Sequence, residues 1–236
     1  MIVQPEATLS PRRAETRRRL MAAAIEVFAD KGVNGASVEE ICEQAGFTRG
    51  AFYSNFDSKD ELCAALLRDL CQQHLAAAET AIAQVLDTGE QPLDELIDSA
   101  VDTFVAIQPT DRNIQLLQLE LRLHAARNAE FAVMFNELDA EMSELFGSLI
   151  ELGLRRRGVH LSLPARQAID LLHAVHEAGN FDQLLGRTTP GAGTSDLKAL
   201  LRNLVRPVRP ERSGQQRINR GYAVPTPGTR AAPPPE

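Results

Sequence analysis

Five residues close together, Arg49, Gly50, Ala51, Tyr53 and Asn55, carry the chemistry best suited to a polar, grooved partner. An arginine fork matches guanine O6 and N7, a contact worth about 1–3 kcal/mol of discrimination between bases. Gly50 and Ala51 allow close approach, and the Ala51 methyl suits the methyl group of thymine. A glycine inside a helix costs roughly 1 kcal/mol against alanine, so Gly50 requires a reason. Close packing on another helix would supply one equally well. Ser37, Thr48, Tyr53, Asn55 and Lys59 are candidates for phosphate contacts, which set register and not sequence. Capping alone would also account for Ser37 and Thr48, and a solvated surface position for Arg49.

Two short helices joined by a tight turn must position these groups. Val38, Ile41 and Ala45 recur at helical spacing and form a narrow apolar stripe, with Ser37 placed to cap it. Gly46 ends that helix, because glycine takes the left-handed conformation cheaply. Thr48 caps the next helix, in which Phe52 and Phe56 lie four apart and belong to the core. Arg49 then sits at the N-terminal end of the second helix, where recognition helices enter a major groove. The other members of the set face outward.

The run Ala45-Gly46-Phe47-Thr48-Arg49-Gly50-Ala51-Phe52-Tyr53-Ser54-Asn55-Phe56, followed by Lys59, Glu61 and Leu62, resembles the tetracycline-repressor (TetR/AcrR) family of bacterial one-component regulators. So does Ile25-Glu26-Val27-Phe28-Ala29-Asp30-Lys31-Gly32 upstream. The resemblance is strong from about Thr16 to Leu66 and only architectural beyond it. It implies that the positions of Tyr53 and Lys59 commonly meet phosphates. The position of Asn55 is often histidine in the family. The resemblance further implies a cavity among the later helices for a small, partly apolar effector, and a two-fold pair of chains.

The net charge of −7 at first argues against nucleic acid as a partner. Residues 1–60 are close to neutral, with 8 Lys/Arg and 9 Asp/Glu, whereas residues 61–205 carry 11 and 21. The acidity therefore belongs to the middle, and the basic residues concentrate in Arg12, Arg13, Arg17, Arg18 and Arg19 and in the C-terminal stretch. Arg17 and its neighbours suit phosphates or a narrow minor groove, or plain solvated charge. No apolar run approaches the length of a membrane span, and no apolar segment follows the N-terminal arginines as a signal peptide requires. Cys42, Cys63 and Cys71 have no metal spacing and suit a reducing cytoplasm. Neither a cofactor nor a metal is called for. A di-iron bundle needs repeated Glu-x-x-His, and the chain has only one Asp170-x-x-His173. No phosphate-cradling glycine loop, His-Glu-x-x-His or Gly-x-Ser-x-Gly is present.

Strand signals are absent, so the expected fold is all-α: a three-helix helix-turn-helix unit, then a helical ligand-binding and dimerisation domain. Residues 1–13 read as a disordered arm and residues 14–57 as the DNA-binding unit, with its first helix from about Ala14 to Lys31. Residues 58–205 read as the larger helical domain, whose first long helix starts near Ser58. Breaks fall at Thr88-Gly89-Glu90-Gln91-Pro92, at Gln108-Pro109-Thr110 and at Arg155-Arg156-Arg157-Gly158, and Asn128 caps a helix. Residues 206–236, basic and proline-rich, read as a disordered tail.

Candidate effector-pocket residues are Phe104, Gln118, Arg122, Phe131, Phe135, His173, His176 and Asn180, some of which a helical bundle needs simply as core. The pairing surface is expected from helix 164–185 with helix 195–205, because the first is apolar over more than one face. The expected function is ligand-responsive repression from a palindromic double-stranded DNA operator by a homodimer, not enzymatic turnover. The alternative is a helical small-molecule-binding protein or enzyme without operator binding.

Overall fold

The computed structural model describes residues 10–87, 92–156, 158–188 and 193–207. Among the described residues the chain runs through α1 (Pro11–Gly35), α2 (Val38–Ala45), α3 (Arg49–Tyr53), α4 (Lys59–Asp87), α5 (Leu93–Ala106), α6 (Arg112–Arg127) and α7 (Ala129–Arg156). It continues through β1 (Val159–Leu161), α8 (Ala165–Leu184), α9 (Thr194–Leu204) and β2 (Val205–Pro207). The fold is all-α apart from the two short strands. The expected break at 88–91, the Arg157 position, most of the N-terminal arm and the tail from residue 208 lie outside the described residues.

Local chemistry sets most helix boundaries. α1 begins at Pro11, three residues before the expected start, because proline at a first turn forgoes a hydrogen bond it never needed. Gly32 breaks its far end at φ 73° and ψ 161°, a region essentially reserved for glycine. Ser37 and Glu40 close the start of α2 reciprocally: the Glu40 N–H donates to Ser37 Oγ, and the Ser37 N–H to Glu40 Oε2 at 2.8 Å. Gly46 ends α2 in the left-handed region at φ 71°. Asp111 caps α6, and the Asn128 side-chain Oδ1 caps α7 by accepting from the Glu130 and Phe131 N–H groups.

The strands were not foreseen. Val159, His160 and Leu161 pair antiparallel with Pro207, Arg206 and Val205. Three-residue strands carry too short an alternation to stand out from loop sequence. Val205 therefore leaves the helix it was expected to end, and Arg206 and Pro207 are part of the folded body.

Two apolar cores result. The first joins Leu20 and Phe28 of α1, Ile41 of α2, Phe52 of α3, Phe56, Leu62 and Leu66 to Leu117 and Leu121 of α6 and Phe131 of α7. The second gathers Ile97 and Val101 of α5, Leu172 of α8, Leu197 and Leu201 of α9, and Val159 and Val205 of the strands. Leu204 is buried as well, so α9 turns its apolar side inward and its outer positions are Asp196, Ala199, Arg202 and Asn203. Lys198 and Arg202 tie α9 to Asp102 and Asp98 of α5. Leu197, Leu201 and Leu204, expected at a pairing surface, are thus occupied within the chain, while Leu200 is half-buried against the second core. α8 differs: its Leu171, Ala174, Ala178 and Phe181, and Leu185 just after it, recur at three- and four-residue intervals and are all exposed. Among the described residues no helix is long and apolar enough to cross a membrane.

Candidate nucleic-acid interface and effector cavity

α3 is only five residues long, and its attachment decides what it can present. Thr48 accepts from the Ala51 N–H at its start. Phe52 and Phe56 are fully buried with ring centroids 5.7 Å apart, anchoring one side of the turn. Each such ring contributes about 2–3 kcal/mol by leaving water. Arg49, Gly50 and Tyr53 stand on the opposite, exposed side, with Ala51 half-buried beside them. The nearest side-chain atom to a methyl built on Gly50 is Thr48 Oγ1 at 3.7 Å, so no other helix packs on that glycine. Close packing therefore does not explain it.

Arg49 is held from two directions. Its Nη1 lies 2.6 Å from Glu39 Oε1 of α2, and its guanidinium carbon lies 5.7 Å from the Tyr53 ring centroid. Hydrogen bonding to the Tyr53 phenol, followed by the Glu39 charge, raises its pKa further. Arg19 donates to the Ala45 carbonyl at 2.8 Å and lies over the Phe47 ring, fastening α1 to the turn. Arg17 donates to the Asn55 carbonyl at 2.5 Å and lies 4.2 Å from the Phe56 ring centroid.

Besides Thr48 and Arg17, three further expected phosphate-contact residues have structural duties here. Asn55, expected to face outward, is buried: its amide donates to the Ala51 carbonyl at 2.8 Å and to Ser54 Oγ, closing the end of α3. A short polar side chain after a helix satisfies backbone acceptors, and periodicity alone does not reveal this. Lys59 Nζ donates to the Val33 and Ala36 carbonyls at 2.6 and 2.8 Å, capping the segment between α1 and α2. Ser37 Oγ is engaged with Glu40 as donor and acceptor.

α6 attaches this unit to the remainder. The Glu120 carboxylate accepts from the Val33 N–H at 3.1 Å. His124 Nε2 lies 2.9 Å from Asp60 Oδ1, while Asp60 Oδ2 accepts from the Asn128 amide at 2.8 Å. His124 is buried against the Phe131 ring at 4.8 Å.

The same helix lines a cavity of about 300 Å³ between α4, α6, α7 and α8. Of the candidate effector residues, Gln118, Arg122, Phe135, His173, His176 and Asn180 line it. Phe131 does not, because it fills the first core against His124. Phe104 stands behind the wall, its ring edge-on to His173 and His176 at 5.6 and 5.4 Å. Sequence reasoning missed His74, Cys71, Asp139, Asp170, Ser143 and Glu177. His74 lies on α4 one helical turn after Leu70, a spacing that could have drawn attention to it.

Burial pushes His74, His173 and His176 below the ordinary imidazole value of 6.5, so all three are neutral near pH 7. Each then offers one donor and one acceptor. Burial likewise drives the Cys71 thiol up to about 11 and Cys63 to about 12, leaving both unreactive. Arg122 and Glu177 form a two-point ion pair across α6 and α8. A second, smaller cleft shares Gln118, Arg122, Glu177 and Asn180, so that pair forms a wall common to both spaces. Among the described residues no group of three or more His, Cys, Asp or Glu could hold a metal ion.

Residues 20–66 match the family described as bacterial regulatory proteins, tetR family. The chain is 27% identical over 139 residues to the HTH-type transcriptional repressor KstR2 of Rhodococcus jostii, covering 59% of this chain and 65% of that protein. That match spans less than two thirds of the length of KstR2. Among solved structures, Salmonella enterica GusR superposes with a TM-score of 0.66 at 19% identity, covering 84% of this chain and 98% of that one. The Bacillus subtilis transcriptional regulator FadR in complex with stearoyl-CoA gives 0.61 at 19%, covering 78% and 95%.

Proposed function

We propose, given that the chain belongs through residues 20–66 to the tetR family of bacterial regulatory proteins, that it is a ligand-responsive transcriptional repressor acting on double-stranded DNA as a homodimer in the cytoplasm. α3 enters the major groove, Arg49 reads a base edge, and Gly50 and Ala51 permit the approach. Thr48 and Tyr53 meet phosphates. Lys59 and Asn55 support that surface from behind. The two chains pair through the exposed α8 stripe, whose three-four spacing suits a second copy of itself.

One observation carries the regulatory half: α6 touches both sites. Gln118, Leu121 and Arg122 line the cavity, while Glu120 and His124, on the same turns, hold the Val33 N–H and Asp60. A small molecule filling the cavity acts on the helix that carries the DNA-binding unit. The ligand must lower DNA affinity by the factor by which DNA lowers its own.

Selection from a random duplex library tests the DNA half. The expected product is a (pseudo)palindrome with half-sites about 34 Å apart or a multiple of that. Selection that returns no sequence preference refutes the proposal.

A further inference from the structure

We propose that Glu39 is a specificity-determining residue: its carboxylate holds the Arg49 guanidinium for base reading and away from the phosphate backbone. The inference rests on the reading of α3 as the base-reading helix. Glu39 stands in the first turn of α2 and Arg49 in the first turn of α3, and Glu39 Oε1 lies 2.6 Å from Arg49 Nη1. The two side chains are 54% and 61% exposed, so the pair belongs to the presented surface and not to the core.

An acidic side chain in the first turn of α2 gains only a small stabilisation from the helix dipole, so folding accounts for little of the carboxylate's placement beside Arg49. Ser37 and Glu40 already close the start of α2. An exposed ion pair contributes little to stability. On a face that phosphates approach, a negative charge weakens binding to every duplex alike. What the carboxylate supplies is restraint. An unrestrained arginine is long and rotamer-rich, and the closest strong acceptors on DNA are phosphates, which carry no sequence information. The guanidinium has five N–H donors in a fixed plane. Glu39 engages the Nη1 side and the Tyr53 ring lies beside the guanidinium. The remaining donors stay available for the two acceptors on a guanine edge.

The test uses the full chain and its variants Glu39→Gln, Glu39→Ala, Arg49→Ala and Glu39→Ala with Arg49→Ala. Base preference at each half-site position is read from a randomised duplex library, and the salt dependence of binding is read on one non-specific duplex. Circular dichroism checks that each variant is folded, and Glu39→Gln keeps the side-chain shape. The Glu39 variants are expected to lower the preference at the Arg49 position about three- to five-fold. They should bind the non-specific duplex more tightly, with a salt slope steeper by about one contact. In the Arg49→Ala background, loss of Glu39 should change the preference no further. Glu39 variants that keep the wild-type preference while Arg49→Ala loses it overturn this proposal alone. An Arg49→Ala profile identical to wild type overturns the base-reading role and this proposal with it.

Discussion

Replacing Lys59 with methionine separates a structural role from a phosphate-contact role. The variant keeps the apolar stem and removes the ammonium that donates to the Val33 and Ala36 carbonyls at 2.6 and 2.8 Å. Hydrogen bonds from a charged donor contribute about 1.5–3 kcal/mol each when buried. Lys59 is half-buried, and water can reach part of the site once the ammonium is gone. About 1 kcal/mol per bond is then the appropriate scale, or about 2 kcal/mol for the pair. For a chain of this length, about 2–4 °C of melting temperature accompanies each kcal/mol, so Lys59→Met should melt about 4–8 °C lower. A phosphate contact would instead appear as a loss of about 0.9 in the slope of log affinity against log salt. The assay is thermal unfolding followed by circular dichroism, paired with salt-dependent DNA binding. A variant that melts within about 1 °C of wild type and loses the full salt increment would refute the structural reasoning.

Gly32→Ala should destabilise the chain by about 1–3 kcal/mol, more than Gly46→Ala, because both sit at positive φ but only Gly32 has ψ near 161°. A methyl there would also meet Glu120 Oε2 at 2.7 Å. Denaturant midpoints rank the two, and the reverse order would contradict the account. Burial holds His74, His173 and His176 below 6.5, so the unfolded chain binds more protons as pH falls through that value. Stability contributed by the neutral rings is therefore fully present above about pH 7 and declines toward about pH 5.5. Comparing denaturation of wild type and His173→Gln at both pH values checks this, and an unchanged pH dependence would count against it. Leu171→Glu with Phe181→Glu should give a helical monomer by sedimentation, because both side chains are more than 40% exposed on α8. Leu204→Glu should instead unfold the chain, since that leucine is 7% exposed. A folded dimer from the α8 double variant would move the pairing surface elsewhere.

The sequence was most legible where one residue does one local job. Ser37, Thr48 and Asn128 begin helices through their side chains and Gly46 ends one for want of a side chain, and all four do so here. Phe52 and Phe56 likewise fall into the core that their spacing implies. Legibility failed where a residue's partner lies far along the chain or competes with solvent. Lys59 finds carbonyls more than twenty residues upstream, and Asn55 turns back onto its own helix. Phe131 and Phe135 lie one turn apart on α7, yet one fills the core and the other lines the cavity. That division follows from where α6 crosses, which no stripe on α7 encodes. The strands escaped notice because their pairing partners are separated by two helices.

The first core also bears on how such a chain can be recombined. Reading heads are attractive units to graft between regulators, with a cut near residue 57 suggested by the sequence. Here Leu20 and Phe28 of α1 share one packed interior with Leu117 and Leu121 of α6. Val33 takes its acceptor from Glu120, and Asp60 binds His124 and Asn128. A transplant made at that cut would separate surfaces shaped for each other. The portable unit is the head together with the matching face of α6, and exchanging one without the other trades a fitted joint for a mismatched one.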